Sequence, residues 1–527
     1  MTATTATGDS RAARRSEWLR ENRARVTVLA VLLFLFLAAM AGIDAGDWFS
    51  TVMQGLSVGA ITFLVASGLS LIFGLMDVLN LAHGELFMLG AYVGWTVYTR
   101  FDTVVDVLVP LLIVAAPFAV LPGWQRLAAR IGRVRWRRPI RWGLLLAGAG
   151  AVLVGVTKFP LVIWSPDDFT RSPANLSVQI GLGTLAPLPA DSFGWPAIVA
   201  ILVVLAGGAA LACGFSMVRS QPADHAPLRR SHVLGLAGMI AAAIVLHLVK
   251  GPLNDWVFGL STTWRFLLAL VISVVVGAVV GALIEVVLIR PLYDRPIYQL
   301  MITLGVGFII VEIVRDVWGR PSFTMARPAA FDGTGAGCPG QGIGGFFSGC
   351  STVDLFGTRL RVYNEGFVIV VGIIVLVGVT TLLKRTRIGM VIRAGVQDPE
   401  MVQALGINVR RVFTTVFAMG SALAALGGVL AAPSIGLNPG MGATFLLSAI
   451  VALAVGGLTS FPGAAAGAVL VGLLQQIIIR YGQSGINLPF MTEPFKPSPT
   501  LVPAAAILLM VVILLVLPTG LFGRAER

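Results

Sequence analysis

Residues 68–94 read GLSLIFGLMDVLNLAHGELFMLGAYVG. The stretch is apolar enough for the interior of a membrane on either side of a short polar interruption. That interruption brings an amide, an imidazole and a carboxylate together, on Asn80, His83 and Glu85, with Gly84 between the last two. Polar groups at membrane depth are tolerated where helices break and line a cavity. The stretch therefore predicts two apolar helices joined by a break.

The composition of the whole chain is that of an integral membrane protein. Of its 527 residues, 57% are hydrophobic and only 12% are charged, whereas soluble domains carry about 25% charged residues. The 61 glycines suit the close approach of transmembrane helices. The net charge of +13 comes largely from short basic runs between apolar segments, which indicates membrane topology and not nucleic-acid binding.

Apolar runs long enough to cross a bilayer recur along the chain. Because exposed β-structure is excluded in lipid, we predict an all-α polytopic bundle of about 12–14 transmembrane segments of roughly 20 residues. The candidate spans are 26–44, 51–75, 79–99, 104–122, 142–163, 195–218, 232–250, 263–290, 297–318, 366–384, 411–432, 443–459, 462–481 and 501–520.

Basic residues predict the orientation of these spans. With a cytoplasmic amino terminus, most of the 38 lysines and arginines fall in inner loops, as the positive-inside rule requires. Both termini are then cytoplasmic, in a cell or inner membrane. The arginine-rich run GWQRLAARIGRVRWRRPIR is either a topogenic anchor or a site for anionic lipid headgroups. The predicted inner loops are 1–25, 123–141, 219–231, 290–296, 384–411 and 521–527.

The longest predicted outer loop, 319–365, contains Cys338 and Cys350 in a glycine-rich setting. Two cysteines on the oxidising face of a membrane form a disulfide or remain free thiols. The third cysteine, Cys213, lies in an apolar span, where we expect it to be a small packing residue. The 4 histidines are not at metal-ligand spacing, so the sequence predicts no metal site.

Few features of the chain point to an enzyme. No glycine–lysine pair occurs, so the chain has no P-loop for a nucleotide. We predict no enzyme, no catalytic residue and no cofactor of its own. Ionisable groups in the spans are few, and Glu285 lies about a turn from Arg290, at a distance that suits a local ion pair.

The inner loop 384–411 contains a short helix with clear signals at both ends. An aspartate suits the N-cap, a proline follows at the first helical position, and a glycine lies just past the end. The apolar side chains between them predict a face that docks into a groove on a partner or lies on its own protein. The residues of this segment are Asp398, Pro399, Glu400, Met401, Val402, Leu405 and Gly406, with the helix predicted over Pro399 to Leu405.

Four stretches together resemble the permeases of branched-chain amino-acid ABC importers of the LivH type. The resemblance covers roughly 50–100 and 262–524. The four are residues 68–94, TRIGMVIRAGVQDPEMVQALGINVRRVF at 386–413, NPGMGATFLLSAIVALAVGGLTSFPGAAAGAVLVGLL at 438–474 and LPTGLFGR at 517–524.

This resemblance implies an importer with two permease subunits, two ABC ATPases that bind the ATP, and an extracytoplasmic substrate-binding protein. The second permease would be LivM-like or another copy of this chain. The substrate would be a small molecule, namely a branched-chain or related amino acid. The inner loop 384–411 would be the segment that couples the permease to the ATPase. Permeases for urea and short amides share the signature. A secondary transporter coupled to ions through Glu85, Glu285 and Glu312 is the alternative class, and a non-transporting membrane scaffold or enzyme is a third.

A second polar junction, PSIGLNPGMGATF at 433–445, lies toward the outer face in this topology, whereas the first lies toward the inner face. Two such junctions predict an inverted repeat with broken helices. Their polar groups line the substrate pathway or hold the breaks together by hydrogen bonds. The candidate pathway residues are Asn80, His83, Gly84, Glu85, Gly90 and Asn438.

The chain departs from the family pattern in two places. Beyond the basic tail 1–25, the segment 26–100 contains an additional span before the permease core begins. Residues 101–261 hold about four apolar segments with no recognised counterpart, and the core resumes over 262–527. The inserted segments could form an accessory bundle, an oligomer contact or a regulatory element.

Overall fold

The computed structural model describes residues 23–40, 43–131, 137–160, 179, 193–219, 229–293, 295–335, 337–486 and 493–523. Several sequence predictions therefore lie outside the described residues. They concern most of the basic tail, the centre of the arginine-rich run, most of the segment 164–194 between two predicted spans, most of the inner loop 219–231 and the last residues of the chain.

Helices occupy every predicted span. Among the described residues, ten helices are long and apolar enough to cross a membrane. The remaining predicted spans hold helices of 16 or 17 residues. The polytopic helical fold is confirmed.

The described helices follow one another in chain order and are numbered here in that order. They are α1 Arg23–Ala38, α2 Ala45–Met76, α3 His83–Thr99, α4 Phe101–Ala119, α5 Leu121–Ile131, α6 Arg137–Lys158, α7 Trp195–Arg219, α8 Arg230–Leu248, α9 Lys250–Gly259, α10 Thr262–Ile284, α11 Pro296–Trp318, α12 Ile369–Arg385, α13 Arg387–Gln397, α14 Pro399–Ala404, α15 Val409–Ile435, α16 Met441–Gly456, α17 Phe461–Ser484 and α18 Leu501–Val516. Two π-helical segments, Glu285–Ile289 and Val362–Val368, follow α10 and precede α12.

The chain divides into two compact units. The first comprises Met1–Gly94, Leu270–Glu312 and Ser322–Arg527, and the second comprises Trp95–Ala269 and Ile313–Pro321. The division leaves open whether residues 101–261 are an insertion, which stays a prediction.

The long helix α2 forms the core of the first unit, where it packs against α15, α16 and α17. Glycines allow this packing. A Cβ atom on Gly59 would lie 3.0 Å from the Cα of Val469 in α17, and one on Gly420 would lie 2.7 Å from the backbone oxygen of Gly68. Side chains at these positions would push the helices apart, so small residues set the core geometry.

One end of the first unit gathers segments that the charge pattern assigns to the cytoplasm. The guanidinium of Arg25, at the start of α1, donates to the backbone oxygen of Gly523 at 2.6 Å. The turn between α16 and α17 lies beside the end of α2, where a Cβ on Gly74 would be 3.4 Å from the Cα of Thr459. The termini of these helices are thus arranged as the topology requires, while their assignment to the inner face stays a prediction.

The predicted outer loop 319–365 folds into a small sheet. Strand β1 (Gly340–Gln341) pairs in parallel with β2 (Thr352–Leu355), which pairs antiparallel with β3 (Thr358–Arg361). A disulfide joins Cys338 to Cys350, with their Cα atoms 5.6 Å apart. The sheet departs from the all-α prediction outside the apolar spans, where strand edges can bond to water.

The second unit is built around α4, which packs against α7 and α8. Two ion pairs lie in it, one buried and one with a partly exposed lysine. Arg100 contacts Asp102 at 2.8 Å, and Lys250 contacts Asp106 at 2.6 Å. Charges removed from water need such partners. The four apolar segments predicted in 101–261 are the helices α4, α6, α7 and α8.

Candidate functional site

The predicted break lies between α2 and α3. Helix α2 stops at Asp77, which adopts a left-handed conformation with φ of 53° and donates its N–H to the backbone oxygen of Phe73 at 2.9 Å. The chain turns back through Asn80, whose side-chain oxygen accepts from the N–H of Ala82 at 3.1 Å. Helix α3 then begins at His83. A local side-chain hydrogen bond of this kind favours a turn over a continued helix.

Two buried side chains at this break keep unused polar atoms. His83 is fully buried, and its Nε2 lies 3.1 Å from the backbone oxygen of Val65 in α2. Its other ring nitrogen and the side-chain nitrogen of Asn80 make no hydrogen bond to any residue that the structure describes. Buried polar atoms normally have partners, so these nitrogens are available to a water molecule or a ligand.

The helices that follow the two junctions begin beside each other. A Cβ on Gly442, in the first turn of α16, would lie 2.7 Å from the Cδ of Glu85 and 2.8 Å from the backbone oxygen of Gly84. Glu85 is 7% exposed. The sequence assigns the two junctions to opposite faces and does not predict this contact between the first turns of α3 and α16. The close approach requires glycine on both helices.

The second junction repeats the first, residue by residue. The side-chain oxygen of Asn438 accepts from the N–H of Gly440 at 3.0 Å, as that of Asn80 does from the residue two positions on. Each asparagine also accepts, at its backbone oxygen, the N–H of the residue that starts the next helix, at 3.1 Å and 3.2 Å. The two turns share this hydrogen-bond pattern. The inverted repeat stays a prediction, because a local turn does not give the direction of the helices.

Gly90, another predicted pathway residue, lies at a contact between helices. A Cβ there would be 2.7 Å from the backbone carbonyl carbon of Ala425 in α15. The side-chain hydroxyl of Ser273 in α10 donates to the backbone oxygen of Gly90 at 3.0 Å. The structure therefore shows Gly90 in helix packing, and a role in the pathway stays a prediction.

The predicted short helix of the inner loop is present as α14. The side-chain oxygen of Asp398 caps it by accepting from the N–H of Met401 at 2.9 Å, and Pro399 occupies the first turn. The helix ends one residue earlier than predicted, because Leu405 is its C-cap. Gly406 follows with φ of 82°, a conformation that favours glycine.

The apolar face predicted for α14 is divided between two environments. Val402 is buried at 3% exposure, so it packs on its own protein. Met401 and Leu405 are 60% and 72% exposed, and Glu400 is also exposed. The helix is thus held in place by one side chain while two large apolar side chains face outward.

A polar network that the sequence only partly predicts joins the end of α10 to α15. Arg290 contacts the buried Glu285 through two hydrogen bonds of 3.1 Å and 2.9 Å, as the spacing suggests. The hydroxyls of Tyr293 and Thr414 also donate to Glu285, at 2.6 Å and 2.8 Å. Burial and the bond to Glu285 raise the pKa of Tyr293, which stays a donor. No spacing in the sequence could have identified Thr414, which is distant along the chain.

These features define a multi-pass helical membrane protein with two broken-helix junctions and a capped loop helix. Residues 51–206 and 230–523 match the family described as the permease component of the branched-chain amino acid transport system. The chain belongs to this family of permease components, which confirms the resemblance seen in the sequence.

Individual relatives are similar over parts of the chain. The high-affinity branched-chain amino acid transport system permease protein BraD of Pseudomonas aeruginosa is 32% identical over 165 residues, 31% of this chain and 49% of BraD. The corresponding LivH of Escherichia coli is 27% identical over 271 residues, 51% of this chain and 78% of LivH. The fructose import permease protein FruF of Bifidobacterium longum is 31% identical over 131 residues, 23% of this chain and 36% of FruF.

The chain spans about half the length of BraD and more of LivH. No solved structure matches it.

Proposed function

We propose that this chain is the permease subunit of an ATP-binding-cassette importer for branched-chain or related amino acids. Two separate ATPase subunits bind the ATP and drive alternating access, so this chain needs no cofactor. A second permease subunit, LivM-like or a second copy, and an extracytoplasmic binding protein complete the transporter. Family membership and the relatives named for amino-acid transport support this proposal.

The observation that carries the proposal is the exposed apolar pair on α14. A loop helix that leaves Met401 and Leu405 in water loses the free energy of burying them. Amphipathic helices commonly place such side chains in a groove on a partner. The N-cap at Asp398 and the buried Val402 hold this helix ready for a partner on the inner side, where the ATPase lies.

The test replaces both exposed side chains by aspartate, as Met401→Asp with Leu405→Asp. Charge placed in an apolar groove costs several-fold more than the lost contact, because the carboxylates have no partner there. We expect ATP-driven uptake in proteoliposomes to fall to background, with membrane insertion and thermal unfolding unchanged. Gln403→Asp, on the same helix, is the matched control and should keep uptake near normal.

Two results would contradict the proposal. Normal uptake by the double variant would remove the coupling role of α14. Uptake that persists in proteoliposomes lacking ATPase subunits would indicate the ion-coupled class instead. For that class the buried Glu285 is a poor coupling group, since three side chains already bind it.

The substrate is tested by competition. Leucine, isoleucine and valine should compete for uptake, whereas fructose and urea should not. The fructose permease among the relatives makes a sugar the relevant competitor, and urea and short amides remain alternatives because their permeases share the sequence signature.

A further inference from the structure

A polar cavity of about 360 Å³ lies in the first unit. Its walls come from the first half of α2, the π-helical segment before α12, the end of α15 and the end of α17. Small-molecule sites usually have volumes of about 300–1,000 Å³. The cavity therefore has room for one small metabolite.

Charged side chains of both signs line this cavity, with Glu365 and Arg361 on one wall and Arg480 on another. Glu365, on the π-helical segment, is 4% exposed and accepts a hydrogen bond from the backbone N–H of Arg361. Arg480, on α17, forms an ion pair with Asp47 through a terminal nitrogen. Its Nε, also buried, makes no hydrogen bond within the described ranges. A carboxylate and a guanidinium thus face one space.

Neutral groups complete the lining. The hydroxyl of Ser434 donates to the side-chain oxygen of Asn364 at 3.0 Å. Gln476, one turn before Arg480 on α17, adds an amide to the wall that carries the guanidinium. The wall formed by α2 is mixed. The aliphatic side chains Val58 and Ile61 lie there beside four polar ones, Ser50, Thr51, Gln54 and Ser57. Charges of opposite sign on separate walls, with hydroxyl, amide and aliphatic groups between them, match a small amphipathic zwitterion.

We propose that this cavity binds a free aliphatic α-amino acid as its zwitterion. Arg480 and Gln476 bind the carboxylate, because a guanidinium matches that group in geometry and charge. Glu365 binds the ammonium group. Val58 and Ile61 contact the aliphatic side chain. This inference rests on the proposed function and identifies where the permease itself holds its substrate.

Two residues of the cavity wall lie close in the chain to the junctions of the broken helices. Ile61 lies one helical turn before Val65, whose backbone oxygen contacts His83 at the first junction. Ser434 lies two residues before Gly436, where α15 ends and the second junction begins. The two helices that lead into the junctions, α2 and α15, therefore also form part of the cavity wall.

The test measures protection of a reporter cysteine in the purified full-length chain, embedded in nanodiscs. Ser50→Cys puts a thiol on the cavity wall. Among the residues that the structure describes, the original hydroxyl bonds to the backbone oxygen of Asp47 in its own helix. Native cysteines give little background, because Cys213 is buried and the other two form the disulfide. The rate at which a charged thiol reagent labels this cysteine is measured in the presence of leucine, of each leucine analogue and of fructose.

Leucine should slow the labelling in a saturable way. Isocaproate lacks the ammonium group of leucine, and isoamylamine lacks the carboxylate. Each should therefore need a concentration about 10- to 100-fold higher than leucine for half-protection, because the loss of one hydrogen bond to a charged group weakens binding by about that factor. Fructose should not protect. Protection by fructose equal to that by leucine, or no protection by leucine, would overturn the proposal.

Two variants separate binding from structure. Arg480→Gln should raise the leucine concentration for half-protection by about tenfold or more, as should Glu365→Gln. Asp47→Asn breaks the same ion pair but keeps the guanidinium, so it should leave protection within about twofold of the parent. Equal weakening by Asp47→Asn and Arg480→Gln would show that Arg480 acts only through the pair, and would remove the carboxylate site.

Unfolding measurements accompany each variant. If Arg480→Gln does not fold, Arg480→Lys keeps the charge but loses the fork of donors, and it should still weaken protection. The assay needs neither ATPase nor binding protein. Protection by leucine without leucine uptake by the assembled transporter would contradict the proposed function alone, and uptake without protection would contradict the cavity alone.

Discussion

Glu85 is a nearly buried carboxylate at the start of α3, against the backbone of α16. Ionised carboxylates are costly in such surroundings unless they are paired, hydrogen-bonded or protonated. Its neighbours explain why the adjacent position is glycine, since any side chain at Gly84 would meet α16. We therefore expect Glu85 to act mainly by holding the geometry of the break, so that its shape and hydrogen bonds matter more for transport than its charge.

Substitution of Glu85 separates these roles. Glu85→Gln keeps the shape and most of the hydrogen bonding, and should transport nearly normally. Glu85→Leu should lose transport through failed assembly, with a cost of about 1–3 kcal/mol for each polar partner left unsatisfied. Uptake is measured with the amount of folded protein determined for each variant.

The same pair of variants can exclude this interpretation. A Gln variant that folds as well as the parent but does not transport would show that the proton or charge of Glu85 takes part in the transport cycle.

At the scale of elements, the network around Glu285 joins the end of α10 to α15, the helix that follows the proposed coupling segment. Arg290 follows α10, and its guanidinium also donates to the hydroxyl of Thr414, in the second turn of α15, at 2.6 Å. Helix α15 begins a few residues after α14. Part-buried hydrogen bonds therefore connect the end of α10 to the helix that follows α14.

Removing one charge from this network should destabilise the protein strongly. Arg290→Gln leaves the fully buried Glu285 without its counter-charge, and loss of one partner of a buried pair costs about 3–5 kcal/mol. The combined variant Glu285→Gln with Arg290→Gln should recover much of that loss. Denaturant or thermal unfolding of the purified proteins gives the stability of the parent, of Arg290→Gln and of the combined variant.

The exposed pair between Arg359 and Asp354 is the matched control. Its atoms are 3.6 Å apart and the arginine side chain is 73% exposed, so Arg359→Gln should change stability by no more than about 1 kcal/mol. An effect of Arg290→Gln as small as this would mean that water or another group replaces the guanidinium.

At the scale of the whole molecule, the charge pattern and the structure agree on which helix ends belong together. The start of α1, the end of α2 and the turn between α16 and α17 share one end of the first unit. The starts of α2 and the π-helical segment lie with the ends of α15 and α17 around the polar cavity. The disulfide-linked loop precedes that segment, which suits an oxidising outer face.

Labelling in intact cells tests this orientation. A membrane-impermeant thiol reagent should label Ser484→Cys, at the exposed end of α17, and should leave Gln403→Cys on α14 unlabelled until the cells are opened. Native thiols contribute little, as in the protection assay. External labelling at position 403 with none at 484 would reverse the predicted topology.

The sequence by itself determined the apolar helices, the first break and the start of α14, whose end was predicted one residue too late. Each depends on neighbouring residues: apolar runs of about 20 residues specify spans, and caps such as Asp398 bond within their own turn. The matching turns at Asn80 and Asn438 are local too, yet their likeness becomes visible only in hydrogen bonds.

Only the tertiary structure decided which of these local elements meet. The approach of Gly442 to Glu85, the bond of Thr414 to Glu285 and the cavity between Glu365 and Arg480 join segments that are far apart in the chain. Such contacts depend on how closely whole helices pack and at which residues they cross, and glycine permits many crossings. Periodicity describes one helix at a time, so it cannot choose among them.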